Sequence, residues 1–193
     1  MPTMNKQQIT RYLQSIIAIP MLAIAVPLTG ISSIPSLAAT NDSLTGENSV
    51  IITQEEVARN EKAGLIDAYF KDHNAPLEGH GIKFVLEAEK NDLDWRLLPA
   101  IAMRESTGGI HACKKASNSV FGYGSCKISF GSIDESIEIV AKSLGGNNPN
   151  TARHYDNKTI SQILKKYNSV IPGYANQVMR IMKNISDDGK EII

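Results

Sequence analysis

Three times along this chain a hydroxyl residue is followed three positions later by Glu or Gln, and then by a run of apolar residues: Thr53 with Glu56, Ser132 with Glu135, and Thr159 with Gln162. A side-chain oxygen at such a site accepts an orphan amide of a helix start, while the Glu or Gln reaches back to the backbone before it. The pattern commits most of the chain to helix. After Thr53, VARNEKAGLIDAYFKDH places Leu65, Ile66, Tyr69 and Phe70 on one face. After Ser132, residues Ile133, Ile137, Val140, Ala141 and Leu144 recur at helical spacing until Gly145-Gly146 stops the run. After Thr159 comes ISQILKKY.

Three further helices are expected between and beyond these. IKFVLEAEKN turns Ile82, Phe84, Val85 and Ala88 inward. WRLLPAIAMRE, with Asp94 as its N-cap, buries Leu97, Leu98, Ile101 and Ala102; Pro99 lies near its start and costs little there. A last helix over about Tyr174 to Ile185 turns Val178, Met179, Ile181, Met182 and Ile185 inward. Trp95 reads as a core residue.

The first 39 residues stand apart. Met1 to Gln14 is polar and carries Lys6 and Arg11 without an acid; Ile16 to Leu28 is an apolar core, and the small-residue run SLAA follows. That order is the order of a secretory signal peptide, with cleavage expected after Ala38 or Ala39. The competing reading is an uncleaved anchor, weakened by Pro20 and Pro27 and by a run short of the roughly 20 residues of a membrane span. Residues 40–52 read as a polar, flexible leader and residues 53–193 as one domain. A secreted or cell-envelope monomer is expected, touching membrane only through its N-terminal segment.

Basic and acidic side chains balance at 20 each, a formal charge of zero, which argues against a nucleic-acid-binding surface. The two cysteines, Cys113 and Cys126, are expected to form a disulfide in an oxidising compartment. Closing such a loop contributes about 3 kcal/mol in the chain-entropy model; two free thiols are the alternative. His73, His80, His111 and His154 show no ligand spacing, so neither metal nor cofactor is expected. Between the cysteines' neighbours, Gly108, Gly109, Gly122, Gly124 and Gly131 punctuate short β-prone pieces, and a small hairpin or irregular loop is expected over residues 106–131. The fold class is therefore α+β, mostly helical.

One acid stands out. In AIAMRESTGG an apolar helical run ends in Glu105, with a Ser-Thr-Gly-Gly breaker behind it. A carboxylate there faces the negative end of the helix dipole, and apolar surroundings push in the same direction, toward retention of the proton. Breaking a glycosidic bond needs such an acid to protonate the leaving oxygen. A solvated helix-end glutamate with no role is the plainer reading.

DWRLLPAIAMRESTGG resembles the catalytic segment of the lysozyme-like superfamily of bacterial cell-wall glycosidases, and within it the endo-β-N-acetylglucosaminidase family, named after mannosyl-glycoprotein endo-β-N-acetylglucosaminidase. The likeness extends over residues 62–185. APLEGHG resembles the family's entry segment, SVFGYGSC its Asn-x-Phe-Gly-Trp-Gly hairpin, and FGSIDESIEIVAKSL its next helix; LKKYNSVIPGYANQVMRIM is similar to the Ala-Tyr-Asn segment of the soluble lytic transglycosylases. The resemblance implies a lysozyme-like fold acting on β-1,4 bonds of peptidoglycan strands. It makes Glu105 the general acid, with Ser106 orienting it or contacting sugar. Phe121, Gly122 and Tyr123 would line the cleft, and Tyr167 and Asn168 would face Glu105 across it. For Tyr123 and Tyr167, packing within the hairpin and the core is the plainer reading.

Between Glu105 and Asp134 there is no Asp or Glu, so the expected hairpin supplies no second carboxylate. Asp134 and Glu135 read as helix-start residues, and Asp156 is a distant candidate. A lone glutamate suits assistance by the substrate's own N-acetyl group, followed either by water or by an internal hydroxyl, which yields an anhydro sugar. Hydrolysis and lytic transglycosylation both remain open. So do a non-catalytic peptidoglycan-binding protein and a helical secreted interaction domain.

Overall fold

In this computed structural model residues 53–187 are described; the expected signal segment 1–39 and leader 40–52 lie outside the described residues. Eight helical segments follow in order: α1 (Gln54–Asp72), α2 (Gly81–Lys90), α3 (Leu97–Ser106), the single turn α4 (Tyr123–Cys126), α5 (Ile133–Leu144), the single turn α6 (Ala152–Tyr155), α7 (Ile160–Tyr167) and α8 (Tyr174–Asp187). The caps start helices as expected. Thr53 Oγ1 accepts the Glu56 amide while the Glu56 carboxylate accepts that of Thr53, and Thr159 with Gln162 repeats the exchange at the head of α7. At α5 the exchange is shifted by one residue. Ser132 Oγ accepts the Glu135 amide at 3.0 Å, but the Glu135 carboxylate accepts from Gly131. Asp94 caps at a distance: its Oδ1 takes the Arg96 amide at 2.9 Å through a turn that precedes α3.

Helix α3 is the centre of the domain. Every residue from Leu97 to Ala102 is buried, because α8, α2 and α5 all pack against it. Apolar positions three and four apart on each neighbour are buried: Phe84, Val85 and Ala88 on α2, Ile137, Val140, Ala141 and Leu144 on α5, and Val178, Met182 and Ile185 on α8. Two residues expected inward are not. Ile82 and Met179 are 39% and 36% exposed, since each sits about 100° round from its helix's buried stripe. Leu65, Ile133 and Ile181 are half-buried. Trp95 packs partly buried against the core, with the Arg96 guanidinium 5.6 Å over its ring.

The chain is mostly helical, and the hairpin expected over residues 106–131 is absent: no strand occurs among the described residues. The arms that would pair do meet, but through one backbone bond, Phe130 N–H to Ser117 C=O at 2.9 Å, with the Asn118 amide donating to Phe130 C=O. Left-handed backbone is the reason. Asn118, Ser125 and Cys126 have φ of 54°, 58° and 58°, and Gly122 and Gly124 have φ of 62° and 63°, so the chain coils where a strand needs extension. The Cys113–Cys126 disulfide closes this loop. Among the described residues no helix is long and apolar enough to cross a membrane.

The turn after α3 brings the chain back onto α1. Gly108 has φ +61°, and a Cβ there would lie 2.5 Å from Ala75 Cβ and 3.0 Å from the Phe70 ring. Gly108→Ala is expected to lower unfolding stability by roughly 2–4 kcal/mol, from left-handed strain plus overpacking. Denaturant titration monitored by far-UV circular dichroism checks this, and an unchanged midpoint contradicts it.

Candidate active site

Glu105 is the penultimate residue of α3, so the buried helix holds its backbone rigidly while the side chain emerges at the helix end. Thr107, at φ 53° and ψ 51°, turns the chain away immediately afterwards. Ser106 is 2% exposed and does not reach the cleft. Its hydroxyl donates to Val120 C=O at 2.6 Å, with Ala102 C=O also at 3.0 Å, and accepts the Gly109 amide at 2.9 Å. The expected contact of Ser106 with the Glu105 carboxyl or with sugar is therefore corrected. It pins the segment carrying Phe121 and Gly122 against the end of α3, and a hydroxyl so engaged has no proton left to offer.

That pin brings Gly122 over Glu105. A Cβ on Gly122 would stand 3.4 Å from Glu105 Oε2, and its φ of +62° favours glycine, so the backbone approaches the carboxyl closely here. The other carboxyl oxygen, Oε1, accepts a 2.6 Å hydrogen bond from the Tyr174 phenol. Tyr174 is the first residue of α8 and is 1% exposed. Its ring stacks on Tyr167, with centroids 6.2 Å apart and planes 18° from parallel. Arg104 lies on another side of this ring: its guanidinium is 5.8 Å from the Tyr174 centroid, and its Nε donates to Gln177 at 2.7 Å.

These groups open onto a cavity of about 570 Å³. Its lining includes Glu105, Phe121, Gly122, Tyr123, Tyr167 and Asn168, so six residues expected to share a site do share one. The tyrosines are tied down as they line it. Tyr167 donates to Phe121 C=O at 2.6 Å, and Tyr123 donates to Ser143 Oγ at 2.9 Å. Both therefore pack and line the cavity at once. Asn168 ends α7, and its Oδ1 accepts the amides of Val170 and Ile171, shaping the loop that forms the far rim. Val170 on that rim is 86% exposed. A second cavity of about 440 Å³ adjoins the first, sharing Asn168, Ser169 and Ile171 and adding Lys165 and Asn176.

Glu105 is the one carboxylate among the lining residues. Asp134 pairs with His80 at 2.8 Å, Glu135 serves the α5 cap, and Asp156 accepts from Asn157, so none of the other candidates faces Glu105. No cluster of three or more His, Cys, Asp or Glu suited to a metal occurs among the described residues. Tyr155 and Tyr174 belong to the site although their residue types alone do not announce it. Tyr155 lines the cavity from the α6 turn. Tyr174 heads the apolar stripe it shares with Val178 and Ile185, and a buried phenol on such a stripe needs a partner; that is the signal that points to it. Comparison with family models, with curated proteins and with solved structures finds no match to this chain.

Burial pushes the phenols of Tyr174 and Tyr167 well above the ordinary tyrosine value; for Tyr174 the hydrogen bond to Glu105 adds to it, and for Tyr167 the charge of Glu105 does. Burial, then Tyr123, raises Tyr155 as well. The unfolded chain releases these protons near pH 10, whereas the native chain retains them. Stability contributed by the neutral phenols is thus present below pH 10 and is lost as pH rises beyond it. Tyrosinate absorbance should show these residues un-ionised until unfolding; their titration near pH 10 in the native state would contradict the arrangement. Gly122→Ala is expected to cost about 1–2 kcal/mol from left-handed strain, read as a lower melting temperature.

Proposed function

We propose that the protein is an exported cell-wall glycosidase of lysozyme-like fold that cleaves β-1,4 bonds of peptidoglycan strands, with Glu105 as general acid. One observation carries the reading: a single carboxyl, fixed through Oε1 by Tyr174, presents Oε2 beside Gly122 at the base of a sugar-sized furrow. A furrow walled by tyrosines and glycine backbone suits a saccharide, whose C–H faces stack on aromatic rings and whose hydroxyls reach exposed peptide groups.

The chemistry uses few parts. Glu105 Oε2 carries the proton and passes it to the glycosidic oxygen as the C1–O bond breaks. The positive charge that develops at C1 is met by the carboxylate left behind, and the oxygen of the substrate's own N-acetyl group bonds to C1 from the opposite face. Glu105 then takes a proton from the second nucleophile, which opens the cyclic intermediate and restores the acid. Tyr174 is a positioning residue that keeps the carboxyl aimed. No cofactor enters these steps.

A second reading, lytic transglycosylation, is favoured by Glu105 being the one carboxylate in the lining. Where no second carboxylate draws a proton from water, an internal sugar hydroxyl held close by the cleft competes well as nucleophile, and the product is an anhydro end. Glu105→Gln is expected to reduce release of soluble fragments from purified sacculi at least about 10³-fold, with melting temperature preserved. Fragment release unchanged by that substitution rejects the glycosidase, and a chain that sediments with sacculi but releases nothing is a binding protein. Mass spectrometry of the fragments separates reducing from anhydro ends. Tyr174→Phe is expected to lower kcat by about 10–100-fold with little change in KM, because it loosens the acid without touching the sugar.

A further inference from the structure

The seam between α3 and α8 is crossed by side chains twice beside the cavity. Glu105 Oε1 accepts from the Tyr174 phenol at 2.6 Å, and Arg104 Nε donates to Gln177 Oε1 at 2.7 Å. Glu105 and Arg104 are consecutive on α3, while Tyr174 and Gln177 lie three apart on α8 and so share a face. The four side chains close a circuit, because the Arg104 guanidinium also sits 5.8 Å from the centre of the ring whose hydroxyl holds the carboxyl. Arg104 and Gln177 line neither of the two adjoining cavities, so their contacts are with the protein. Tyr174 needs such a neighbour. It enters α8 from a loop in which Val170 is exposed and the space beside Gly173 is open, so the residues just before it give the ring little support.

An aromatic face attracts a cation, and the attraction grows where burial has removed water. It fixes the tilt of the ring and draws electron density from the phenol, which makes the hydroxyl a better donor. Burial first, then the bond to Glu105 and the charges of Glu105 and Tyr167, hold the Tyr174 proton more tightly than usual; the charge of Arg104 works against them. We infer that Arg104, itself anchored by Gln177, is a positioning residue that sets the tilt of Tyr174 and through it the aim of Glu105 Oε2 into the furrow. The inference rests on the glycosidase reading and adds to it the pair on which the Tyr174 contact depends. Arg104 acts only through the phenol, and that route is what the test interrupts.

The test follows the cutting of soluble peptidoglycan strands by the full chain. Arg104→Met keeps the length of the side chain and loses its charge. It is expected to lower kcat about 3–10-fold with KM and melting temperature little changed, the scale of a desolvated cation–ring contact. Arg104→Lys keeps a charge near the ring and should recover most of that loss, while Gln177→Leu should lower kcat in the same manner by about 2–5-fold. In the Tyr174→Phe background Arg104→Met should change kcat less than about twofold, because the route through the phenol is already cut. A second readout needs no turnover. The carboxyl carbon of Glu105 in carbon-13-labelled protein, assigned by its loss in Glu105→Gln, should shift on Arg104→Met and stay put when the same change is made in the Tyr174→Phe background. A carboxyl resonance indifferent to Arg104→Met overturns the inference, as does an equal effect in the two backgrounds. A Lys variant as slow as the Met variant overturns it too, and so does a rise in KM at constant kcat, which would put Arg104 on the sugar. If cutting requires Glu105 but ignores Arg104, the positioning role falls and the glycosidase stands. If the wild-type chain cuts nothing while the resonance still responds through Tyr174, the glycosidase falls and the clamp stands.

Discussion

The hydroxyl of Ser106 joins three stretches of chain that would otherwise separate. It closes the end of α3 on Ala102, receives Gly109 from the turn, and seizes Val120 from a segment with almost no regular structure of its own. Everything that faces Glu105 from the glycine-rich side hangs on that junction. A carboxyl at a helix end is common and usually wet. Here the same residue pair that ends the helix also fixes the wall opposite, since Glu105 points outward and Ser106, about 100° round, points in.

The tyrosines extend the same economy. Tyr174 holds the carboxyl, Tyr167 holds Phe121 C=O, and Tyr123 holds Ser143 on α5. Each phenol spends its proton on another element, so α5, α7 and α8 are tied to the site through groups that also form its surface. Burial keeps Tyr167 and Tyr174 neutral, which preserves both donors wherever the protein stays folded. The rings present flat apolar faces to the cavity without giving up rigidity, and the proposed role of Glu105 as a proton donor would require that rigidity.

Much of this was legible in the residues. The hydroxyl–Glu/Gln caps at Thr53 and Thr159 mark helix starts because both halves of the exchange are local, and the Phe84–Val85–Ala88 and Ile137–Val140–Ala141–Leu144 stripes follow from period alone. Glu105, Phe121, Gly122, Tyr123, Tyr167 and Asn168 are grouped in the sequence only through the family resemblance that their order carries, and they line one cavity. What escaped was decided by tertiary contact. The β-prone composition of SVFGYGSC suggested a hairpin, but left-handed residues at 122 and 124–126 override propensity, and nothing in a period of two announces them. Ser106 looks like a site residue beside Glu105, yet only the position of Val120 tells where its hydroxyl goes. Tyr174 reads as a helix start, and its partner lies 69 positions earlier in the chain.

The disulfide falls at the edge of the cavity lining. It ties Cys113 to Cys126, the residue after Ser125 in the lining, within a stretch where Ser125 and Cys126 each bear left-handed strain of about 1–2 kcal/mol. A thiol-rich milieu would leave that lip resting on hydrogen bonds and on the packing of Tyr123 against the core. The lip at Ser125 is thus held by a covalent bond whose reduction would free Cys126 beside it.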